Sequence, residues 1–302
     1  MNIKRNVSLS PLSTFKIGGR AEMFCLVRTP ENLIRAAEWA KANKIPYRVF
    51  AGGSNTVFPD GTLNGLLIRI RGGKISVSRN TICADAGVLL KDAVRISLAH
   101  GLQGLETLSG IPGTIGGAAY GNAGAYGHSI SEVIRRVEVW DGRTRRWISR
   151  KECAFGYRES ILKHTPWLAL RVELGLKKGD RKELFAVSRK TIRVRNKKYK
   201  PGIKCPGSFF KNVLVADTPK AALKKIDPRK IIAGKIPTGY LLEEVGAKGM
   251  RSGGIAIPAF HGNLFENTGG ATARDVKQLA ATLKKRVYKK FGITIEEEVR
   301  YF

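Results

Sequence analysis

The sequence predicts an α+β fold, because it carries strong helix signals, strong strand signals and an antiparallel hairpin signal. A capped helix, a short strand and a glycine-rich loop follow one another over residues 29–55. A hairpin pattern occupies 133–149, and a long amphipathic helix is predicted from Thr272 to Gly292. The 302 residues suffice for about two domains with their own cores.

The first half of the chain alternates helices and strands. Thr29 and Pro30 are typical of a helix start, and the apolar spacing that follows predicts a helix over 31–43. YRVF at 47–50 is predicted as a strand that enters AGGSN, residues 51–55. The other elements predicted in this half are strands at 66–70, 74–78 and 81–87 and a helix at 89–101.

Antiparallel strands are predicted after the helix at 89–101. Two strand-like runs flank Asp141-Gly142, which predicts a two-residue hairpin turn. From about residue 197 the composition shifts to Lys, Pro and Gly, and we expect another domain to start there. The four residues from Thr272 resemble a capping box that opens the last helix. ITIEEEVRYF, residues 293–302, is predicted as the final strand, with Glu296, Glu298 and Arg300 on one face.

The charge is strongly positive, with 54 Lys plus Arg against 24 Asp plus Glu and a net charge of +30. A nucleic-acid-binding protein can have such a charge. Here the basic residues are spread along the whole chain, and aromatic residues do not interleave with them as in a base-stacking surface. The charge therefore favours a general attraction for anions, including an anionic substrate, over a specific nucleic-acid partner.

Several other classes of protein are disfavoured. No apolar run approaches the roughly 18–20 residues of a membrane span, and the N-terminus lacks the apolar core of a secretory signal. The four cysteines form no C-x-x-C pair, and the four histidines have no metal-ligand spacing. We expect reduced thiols, a cytoplasmic location, no structural metal, no membrane contact and no obligate protein partner.

Two glycine loops carry the first functional signal. SGIPGTIGGAAYGNAGAYG, residues 109–127, lacks both the P-loop lysine and the G-x-G-x-x-G pattern. Consecutive backbone N–H groups can still bind an anion, and AGGSN adds further donors. A flexible surface loop is the alternative, although Ile111 and Ile115 would be poorly placed in solvent. The two loops together predict a diphosphate site.

A series of segments then resembles one family in order along nearly the whole chain. They are LSTFKIGG (12–19), AGGSNTVFPDG (51–61), GLETLSGIPGTIGGAAYGNAGAYG (104–127), FGYRES (155–160), GSFFKN (207–212) and EEVRYF (297–302). The series resembles the MurB family, the UDP-N-acetylenolpyruvoylglucosamine reductases of peptidoglycan precursor synthesis. The resemblance implies an FAD-binding fold of the vanillyl-alcohol-oxidase (PCMH) type with a C-terminal α+β substrate domain. It implies FAD-binding subdomains at 1–70 and 71–196 and a substrate domain at 197–302.

The resemblance also assigns the cofactors and their binding residues. FAD is the implied cofactor, NADPH is the implied hydride donor, and the two glycine loops would hold the FAD pyrophosphate. The implied cofactor-binding residues are Gly52, Gly53, Ser54, Asn55, Thr56, Ser109, Gly110, Pro112, Gly113, Thr114, Gly116, Gly117, Asn122 and Gly124.

Three residues are implied as catalytic. Arg158 in FGYRES has the fork that suits a substrate carboxylate, although a surface arginine is the simpler reading. Ser208 in GSFF follows Pro206-Gly207 and would be the proton donor in the resembled family, whereas a structural turn serine is the alternative. The spacing alone does not choose among the three consecutive glutamates, and the resemblance points to Glu298. The implied substrate contacts are Tyr157, Lys198 (or the adjacent Lys197), Asn212 and Asn263.

The implied reaction has two halves. NADPH reduces FAD and leaves, and UDP-N-acetylglucosamine enolpyruvate then accepts hydride to give UDP-N-acetylmuramate. The chain resembles the shorter MurB subclass, which lacks an additional tyrosine loop, and it departs from the family pattern at Val213 and Gly121. Two alternatives remain at this point: another FAD-dependent oxidase or dehydrogenase of the same fold, and a basic binding protein without catalysis.

Overall fold

The computed structural model describes residues 1–302, which divide into two compact units. The first unit comprises 1–7, 21–53 and 64–197, and the second comprises 8–20, 54–63 and 198–302. The chain therefore crosses between the units several times, and one crossing falls between Gly53 and Ser54, inside the AGGSN loop.

Helices and strands of both units are numbered in chain order. The helices are α1 (Pro30–Ala42), α2 (Leu90–Ala99), α3 (Ile115–Gly121), α4 (Arg181–Lys198), α5 (Lys220–Leu223), α6 (Thr238–Glu243) and α7 (Ala273–Phe291). The strands of the first half are β1 (Lys4–Ser8), β2 (Arg20–Val27), β3 (Tyr47–Phe50), β4 (Thr56–Val57), β5 (Thr62–Ile70), β6 (Ile75–Ser78), β7 (Thr81–Asp85), β8 (Leu102–Gln103), β9 (Gly124–Ala125), β10 (His128–Ser129), β11 (Ile134–Trp140) and β12 (Arg145–Ser149). Those that follow are β13 (Leu168–Gly175), β14 (Lys177–Lys178), β15 (Val213–Leu214), β16 (Lys235–Ile236), β17 (Arg251–Ser252), β18 (Ile255–Ala256), β19 (Glu266–Asn267) and β20 (Arg300–Tyr301).

The first unit contains a four-stranded sheet in the order β1-β2-β5-β3, in which β3 and β5 are parallel. Helix α1 begins at the predicted cap, where the Thr29 side chain accepts a hydrogen bond from the Asn32 N–H at 3.2 Å. Its apolar residues, including Leu33 and Ala37, form one core with Leu66 and Ile68 of β5. The predicted helix, the strand at 47–50 and the strand at 66–70 are thus confirmed, since the caps and periodicity were local signals.

The first unit also contains a five-stranded antiparallel sheet in the order β12-β11-β13-β7-β6. Helices α2 and α3 contribute to the core of this sheet. The prediction of a two-residue turn between β11 and β12 is wrong, because Trp140 pairs with Arg145 and the connection runs from Asp141 to Thr144. The Asp141 carboxylate accepts the N–H groups of Arg143 and Thr144, each at 2.8 Å, and so stabilises the longer loop.

The second unit is built on α7. The predicted capping box is present, since the Thr272 and Asp275 side chains each accept the other residue's backbone N–H, and the helix ends at Gly292 with φ 72°. The apolar face of α7 joins Phe209, Phe210 and Phe265 in one core, where the rings of Phe209 and Phe265 stack at 3.8 Å.

The final strand is much shorter than predicted. Only Arg300–Tyr301 form a strand, which pairs in parallel with Thr56–Val57. The preceding residues 293–299 alternate between buried and more exposed positions as expected, but their backbone runs beside residues 209–211: the Glu298 N–H donates to the Phe209 carbonyl at 2.8 Å. The prediction was wrong about length because the pairing partners of this segment lie far away in the sequence.

All four cysteines are free thiols, and burial raises the pKa of Cys25 and of Cys153 to about 11. No group of three or more His, Cys, Asp or Glu side chains could hold a metal ion. No helix is both long and apolar enough to cross a membrane.

Candidate active site

The two glycine loops predicted from the sequence touch each other within the first unit. A Cβ atom added to Gly52 would lie 2.8 Å from the Cα of Gly113, which is closer than real Cβ contacts come. The loops therefore meet backbone to backbone, and a side chain at this point would separate them. This contact accounts for the absence of side chains at both positions.

The backbone of these loops is shaped for glycine. Gly53, Gly110 and Gly113 have φ values of 64°, 77° and 121°, in the region that side chains disfavour. The N–H groups of Gly52 and Gly53 donate to no protein acceptor. Donors of this kind are suited to an anionic ligand whose oxygens approach the bare backbone closely.

Other residues of the glycine run have structural partners. The Gly116 N–H donates to the Ala86 carbonyl at 2.9 Å, and the Gly117 N–H donates to the Thr114 hydroxyl at 3.2 Å. A Cβ on Gly116 would lie 2.5 Å from the Ala86 Cβ, so this glycine allows α3 to approach the residue after β7. Their amides are thus engaged within the protein, unlike those of Gly52 and Gly53.

Ser109 is also engaged within the protein. It is 2% exposed, and its hydroxyl lies 2.8 Å from the hydroxyl of Ser188 in α4. Pro112, another residue predicted to bind the cofactor, lies between Gly110 and Gly113 in the same loop. No sequence signal distinguishes Ser188, because serines in a basic helix are common.

The structure joins the glycine run to the FGYRES segment. The Asn122 side chain donates to the Gly156 carbonyl at 2.7 Å and accepts the Ser131 N–H at 3.2 Å. The Arg158 guanidinium donates to the Gly124 carbonyl at 2.8 Å and to the Asn122 carbonyl at 3.4 Å. Asn122, Gly124 and Arg158, predicted from two separate motifs, are therefore neighbours.

The turn that carries Arg158 is rigidly constructed. Gly156 and Glu159 exchange backbone hydrogen bonds at 3.1 and 3.2 Å, and Arg158 between them adopts a left-handed backbone with φ 58°. The guanidinium lies over the Tyr157 ring, 5.4 Å from its centre, and Lys163 donates to the Arg158 carbonyl. A non-glycine residue held at positive φ is a strained arrangement of the kind that clusters at functional sites.

In the second unit, the end of the AGGSN loop is tied to the C-terminal segment. The Asn55 side chain donates to the Glu298 carbonyl at 2.9 Å, and the Arg300 N–H donates to the Asn55 carbonyl at 3.0 Å. Thr56, 8% exposed, begins β4 and pairs with Arg300. The structure thus brings together Asn55 and Glu298, one predicted to bind the cofactor and the other to act in catalysis, through their backbone and amide groups. Ser54 precedes them in the same loop.

Ser208 follows Gly207, whose φ of 91° gives the turn that the sequence predicted. The backbone of Ser208 bridges that of Leu264, while the next residue, Phe209, accepts the Glu298 N–H. Ser208 and Glu298 consequently lie on adjacent backbone segments. The Ser208 hydroxyl lies 2.8 Å from the Tyr199 hydroxyl. Sequence reasoning missed Tyr199, although its position in RNKKYK beside the predicted Lys198 was an available signal.

Asn212 and Asn263 hold the backbone around Ser208. The Asn212 side chain accepts the Thr238 N–H at 3.2 Å. Asn263 is 3% exposed, and its amide accepts the Phe210 N–H at 2.9 Å and donates to the Phe210 carbonyl at 2.8 Å. Its contact with substrate stays a prediction; in the structure its side chain clamps the segment that carries Ser208.

His261 is the most perturbed histidine of this region. Burial and the positive charge of Lys198 lower its pKa from 6.5 to about 4. Its Nδ1 accepts the Asn263 N–H at 3.2 Å, which requires an unprotonated nitrogen. Lys198, which is predicted to contact substrate, is thus close enough to His261 to contribute to its lowered pKa.

Similarity to known proteins identifies the class of protein to which the chain belongs. An FAD-binding-domain family model matches residues 21–146, which include both glycine loops of the first unit. The backbone contact of Gly52 with Gly113 and the N–H groups of Gly52 and Gly53 fit the diphosphate of FAD. The fold and loops therefore define a flavoprotein, and the predicted α+β FAD-binding fold is confirmed.

The family model for the C-terminal domain of UDP-N-acetylenolpyruvoylglucosamine reductase (MurB) matches residues 198–302. A relative of that name from Solibacter usitatus is 41% identical, over 99% of this chain and 96% of the relative. Another from Alkaliphilus oremlandii is 35% identical, over 95% of this chain and 89% of the relative. The chain belongs to the UDP-N-acetylenolpyruvoylglucosamine reductase (MurB) family, which confirms the resemblance seen in the sequence.

A solved structure agrees with this assignment. The MurB crystal structure from Thermus caldophilus is similar to the chain with a TM-score of 0.77 and 32% identity. The similarity covers 100% of this chain and 99% of the Thermus caldophilus chain. The match therefore extends over both units rather than over the FAD-binding domain alone.

Proposed function

We propose that this chain catalyses the NADPH-dependent, FAD-mediated reduction of UDP-N-acetylglucosamine enolpyruvate to UDP-N-acetylmuramate, a step in peptidoglycan precursor synthesis. One observation carries the proposal: the Arg158 guanidinium is fixed on the carbonyls of Asn122 and Gly124, at the end of a glycine run whose other end touches Gly52. A cation suited to a carboxylate is thereby built into the same framework as a bare-backbone anion site.

The cofactor is held mainly by backbone in this proposal. Gly52, Gly53, Gly110 and Gly113 bind the diphosphate: three of them have positive φ values, and a side chain at Gly52 would meet the Gly113 backbone. When bound, FAD would supply the chemistry of hydride transfer from NADPH to the enolpyruvyl double bond of the substrate. Thr114, Gly116 and Gly117 support these residues from within α3 and its cap.

Arg158 binds the substrate carboxylate. Its backbone strain and its two carbonyl partners fix the direction of the guanidinium before the substrate arrives, so little reorganisation is needed during the reaction. Negative charge that builds up on the carboxylate side of the double bond is stabilised by this cation. Tyr157, whose ring supports the guanidinium, is also proposed to contact the substrate.

Ser208 donates a proton to the carbon next to the one that accepts hydride. Glu298, on the segment adjacent to Phe209, assists by stabilising the same intermediate. Lys198 and Asn212 bind the diphosphate and sugar of the substrate, and the general positive charge of the chain attracts this anion. NADPH and a UDP-sugar are intracellular metabolites, and we propose that the reaction takes place in the cytoplasm.

We further propose a division of labour along the chain, with FAD-binding subdomains at 1–70 and 71–196 and a substrate domain at 197–302. The ranges of the two family models, 21–146 and 198–302, support this division. The segments 8–20 and 54–63 pack with the C-terminal residues and so assist the substrate domain.

Rapid-mixing kinetics of a Ser208→Ala variant test the proposal. Reduction of the flavin by NADPH should stay nearly intact, whereas reoxidation by the enolpyruvyl substrate should slow by roughly 10² to 10⁴, the usual effect of losing a general acid. Ser252→Ala is the matched control, because Ser252 is a half-buried serine on β17 of the same unit and should leave both half-reactions unchanged. Equal losses in both half-reactions would remove the proton-donor assignment.

A further inference from the structure

Tyr199 and Ser208 form a pair of hydroxyl groups that the family resemblance did not assign. Their oxygen atoms are 2.8 Å apart, and either hydroxyl can donate. Both residues are half-buried. Tyr199 directly follows α4 and Ser208 comes nine residues later, so the pair is closed by the intervening turn at Gly207.

The same backbone segment supports both members of the pair. Ser208 bridges Leu264, and the Phe209 N–H donates to the Asn263 carbonyl at 3.1 Å. The Tyr199 ring packs against the His261 ring at 5.9 Å, and His261 in turn accepts the Asn263 N–H. The 2.8 Å separation is therefore fixed by residues 261–264 and does not depend on a flexible side chain alone.

Basic residues flank Tyr199. Lys198 and Lys200 flank it in the sequence, and Lys200 lies over the Phe260 ring at 4.6 Å. The charge of Lys198 reaches His261, where it disfavours a second cation. Glu243 and Lys248 act on the same histidine with opposite signs. Tyr199 and His261 therefore lie in a region that contains several cationic side chains.

A serine that protonates carbon needs a replacement proton, because an aliphatic hydroxyl is a very weak acid. A phenol, with an ordinary pKa of about 10, is a better source. We infer that Tyr199 is the proton source for Ser208. As the Ser208 Oγ–H bond breaks and the new C–H bond of the product forms, the Tyr199 hydroxyl proton moves to Ser208 Oγ. The phenolate that remains takes a proton from water after the step. The hydride electron pair still comes from reduced flavin, and no further oxidant or reductant takes part. The inference rests on the proposed function, in which Ser208 is the acid.

Tyr199→Phe in the holoenzyme tests the inference, since phenylalanine keeps the ring against His261 and removes only the hydroxyl. Flavin reoxidation by substrate should slow by roughly 10- to 100-fold, while flavin reduction by NADPH should not change. Tyr288→Phe is the control, because Tyr288 is 62% exposed on α7 and should leave both rates unchanged.

The rate measured in mixtures of H₂O and D₂O separates proton supply from mere positioning. Two protons that move together give a curved dependence of the reoxidation rate on the D₂O fraction, and Tyr199→Phe should make that dependence linear. A lower rate with the same curvature would show that Tyr199 only positions Ser208 and would overturn the inference. An unchanged reoxidation rate in Tyr199→Phe would also overturn the inference. If Ser208→Ala is slow in the same measurement, the proposed function is not affected. An unchanged Ser208→Ala would instead overturn the assignment on which the inference rests.

A second measurement needs no turnover. In protein labelled with ¹³C at the tyrosine Cζ, the signal lost in Tyr199→Phe identifies Tyr199, and Ser208→Ala should shift that signal because its hydrogen-bond partner is removed. The shift should be present with and without bound FAD, since both hydroxyls belong to the protein. A signal that does not move in Ser208→Ala would show that the pair is not formed in solution.

Discussion

The glycine loops of the first unit and the hydroxyl pair of the second unit represent two different ways of building a functional surface. Around Gly52 and Gly113 the contact is backbone to backbone, and no ionisable side chain takes part. Around Ser208 the groups are the side chains of Tyr199, His261 and Asn263, each fixed by a specific hydrogen bond or ring contact. The first region requires positions without a Cβ atom, and the second requires specific side chains.

The two regions are therefore sensitive to different changes. A surface of backbone amides is indifferent to pH but intolerant of one added carbon atom. A cluster of side chains tolerates changes in size better, yet its charges respond to pH through shifted pKa values.

The largest effect should come from Gly52→Ala. The added Cβ would lie 2.8 Å from the Gly113 Cα, where neither backbone can yield easily, so the loops must separate. Overpacking of this kind costs about 1–3 kcal/mol, and we expect flavin binding to weaken roughly 10- to 100-fold. Fluorescence titration of the apoprotein with FAD measures this. An unchanged affinity of Gly52→Ala for FAD would show that the backbone contact between the two loops is not needed for FAD binding.

A smaller effect is expected from pH in the second region. The pKa of His261 is lowered from 6.5 to about 4 by burial and Lys198, so below pH 6.5 the unfolded chain binds a proton that the folded chain does not. This histidine therefore lowers stability as the pH falls from about 6.5 towards 4, by about 2 kcal/mol after allowance for partial exposure.

Urea unfolding between pH 7 and pH 4.5 checks this expectation, with His261→Gln as the variant that should lose this part of the pH dependence. His100→Gln is the control, because it removes an exposed histidine that lies in the other unit. If His261→Gln and the unaltered protein lose stability in parallel, the side-chain region is not the pH-sensitive one.

The smallest effect is expected at Gly121, within the glycine run 109–127. Gly121 ends α3, has no positive φ, and a Cβ added there would meet nothing within 4 Å. Gly121→Ala should therefore raise the free energy of unfolding by about 0.5–1 kcal/mol and leave FAD binding unchanged. Thermal denaturation of the holoenzyme measures the first quantity. A loss of stability as large as that of Gly52→Ala would mean that the whole run resists side chains, not only the loop contact.

The sequence predicted those elements whose signals are local. Helices α1 and α7 were found from Thr29 and from the Thr272 capping box, because caps act within four residues. The glycine loops were found because the composition of 109–127 differs so strongly from that of the rest of the chain. The family resemblance added the proposed roles of Arg158, Ser208 and Glu298, which spacing alone did not distinguish from surface residues.

The features that escaped prediction depend on distant partners. The short β20 results from pairing with Thr56–Val57, and no pattern within 293–302 records where that pairing stops. The Asp141–Thr144 loop is longer than its Asp-Gly signal because the Asp141 side chain caps two following N–H groups. The role of Tyr199 requires knowledge that its hydroxyl meets Ser208, and a lone tyrosine in a lysine-rich segment does not reveal this.

The pairing of Arg300–Tyr301 with Thr56–Val57 affects when this part of the protein can fold during synthesis. A ribosome must add the whole intervening chain, which takes roughly tens of seconds, before the strand that anchors Thr56 exists. Until residues 298–300 have left the ribosomal exit tunnel, the hydrogen bonds that hold Asn55 of the AGGSN loop cannot form, even if the rest of the N-terminal half has already folded. Residues 298–300 therefore complete the hydrogen bonding of the AGGSN loop only late in the synthesis of the chain.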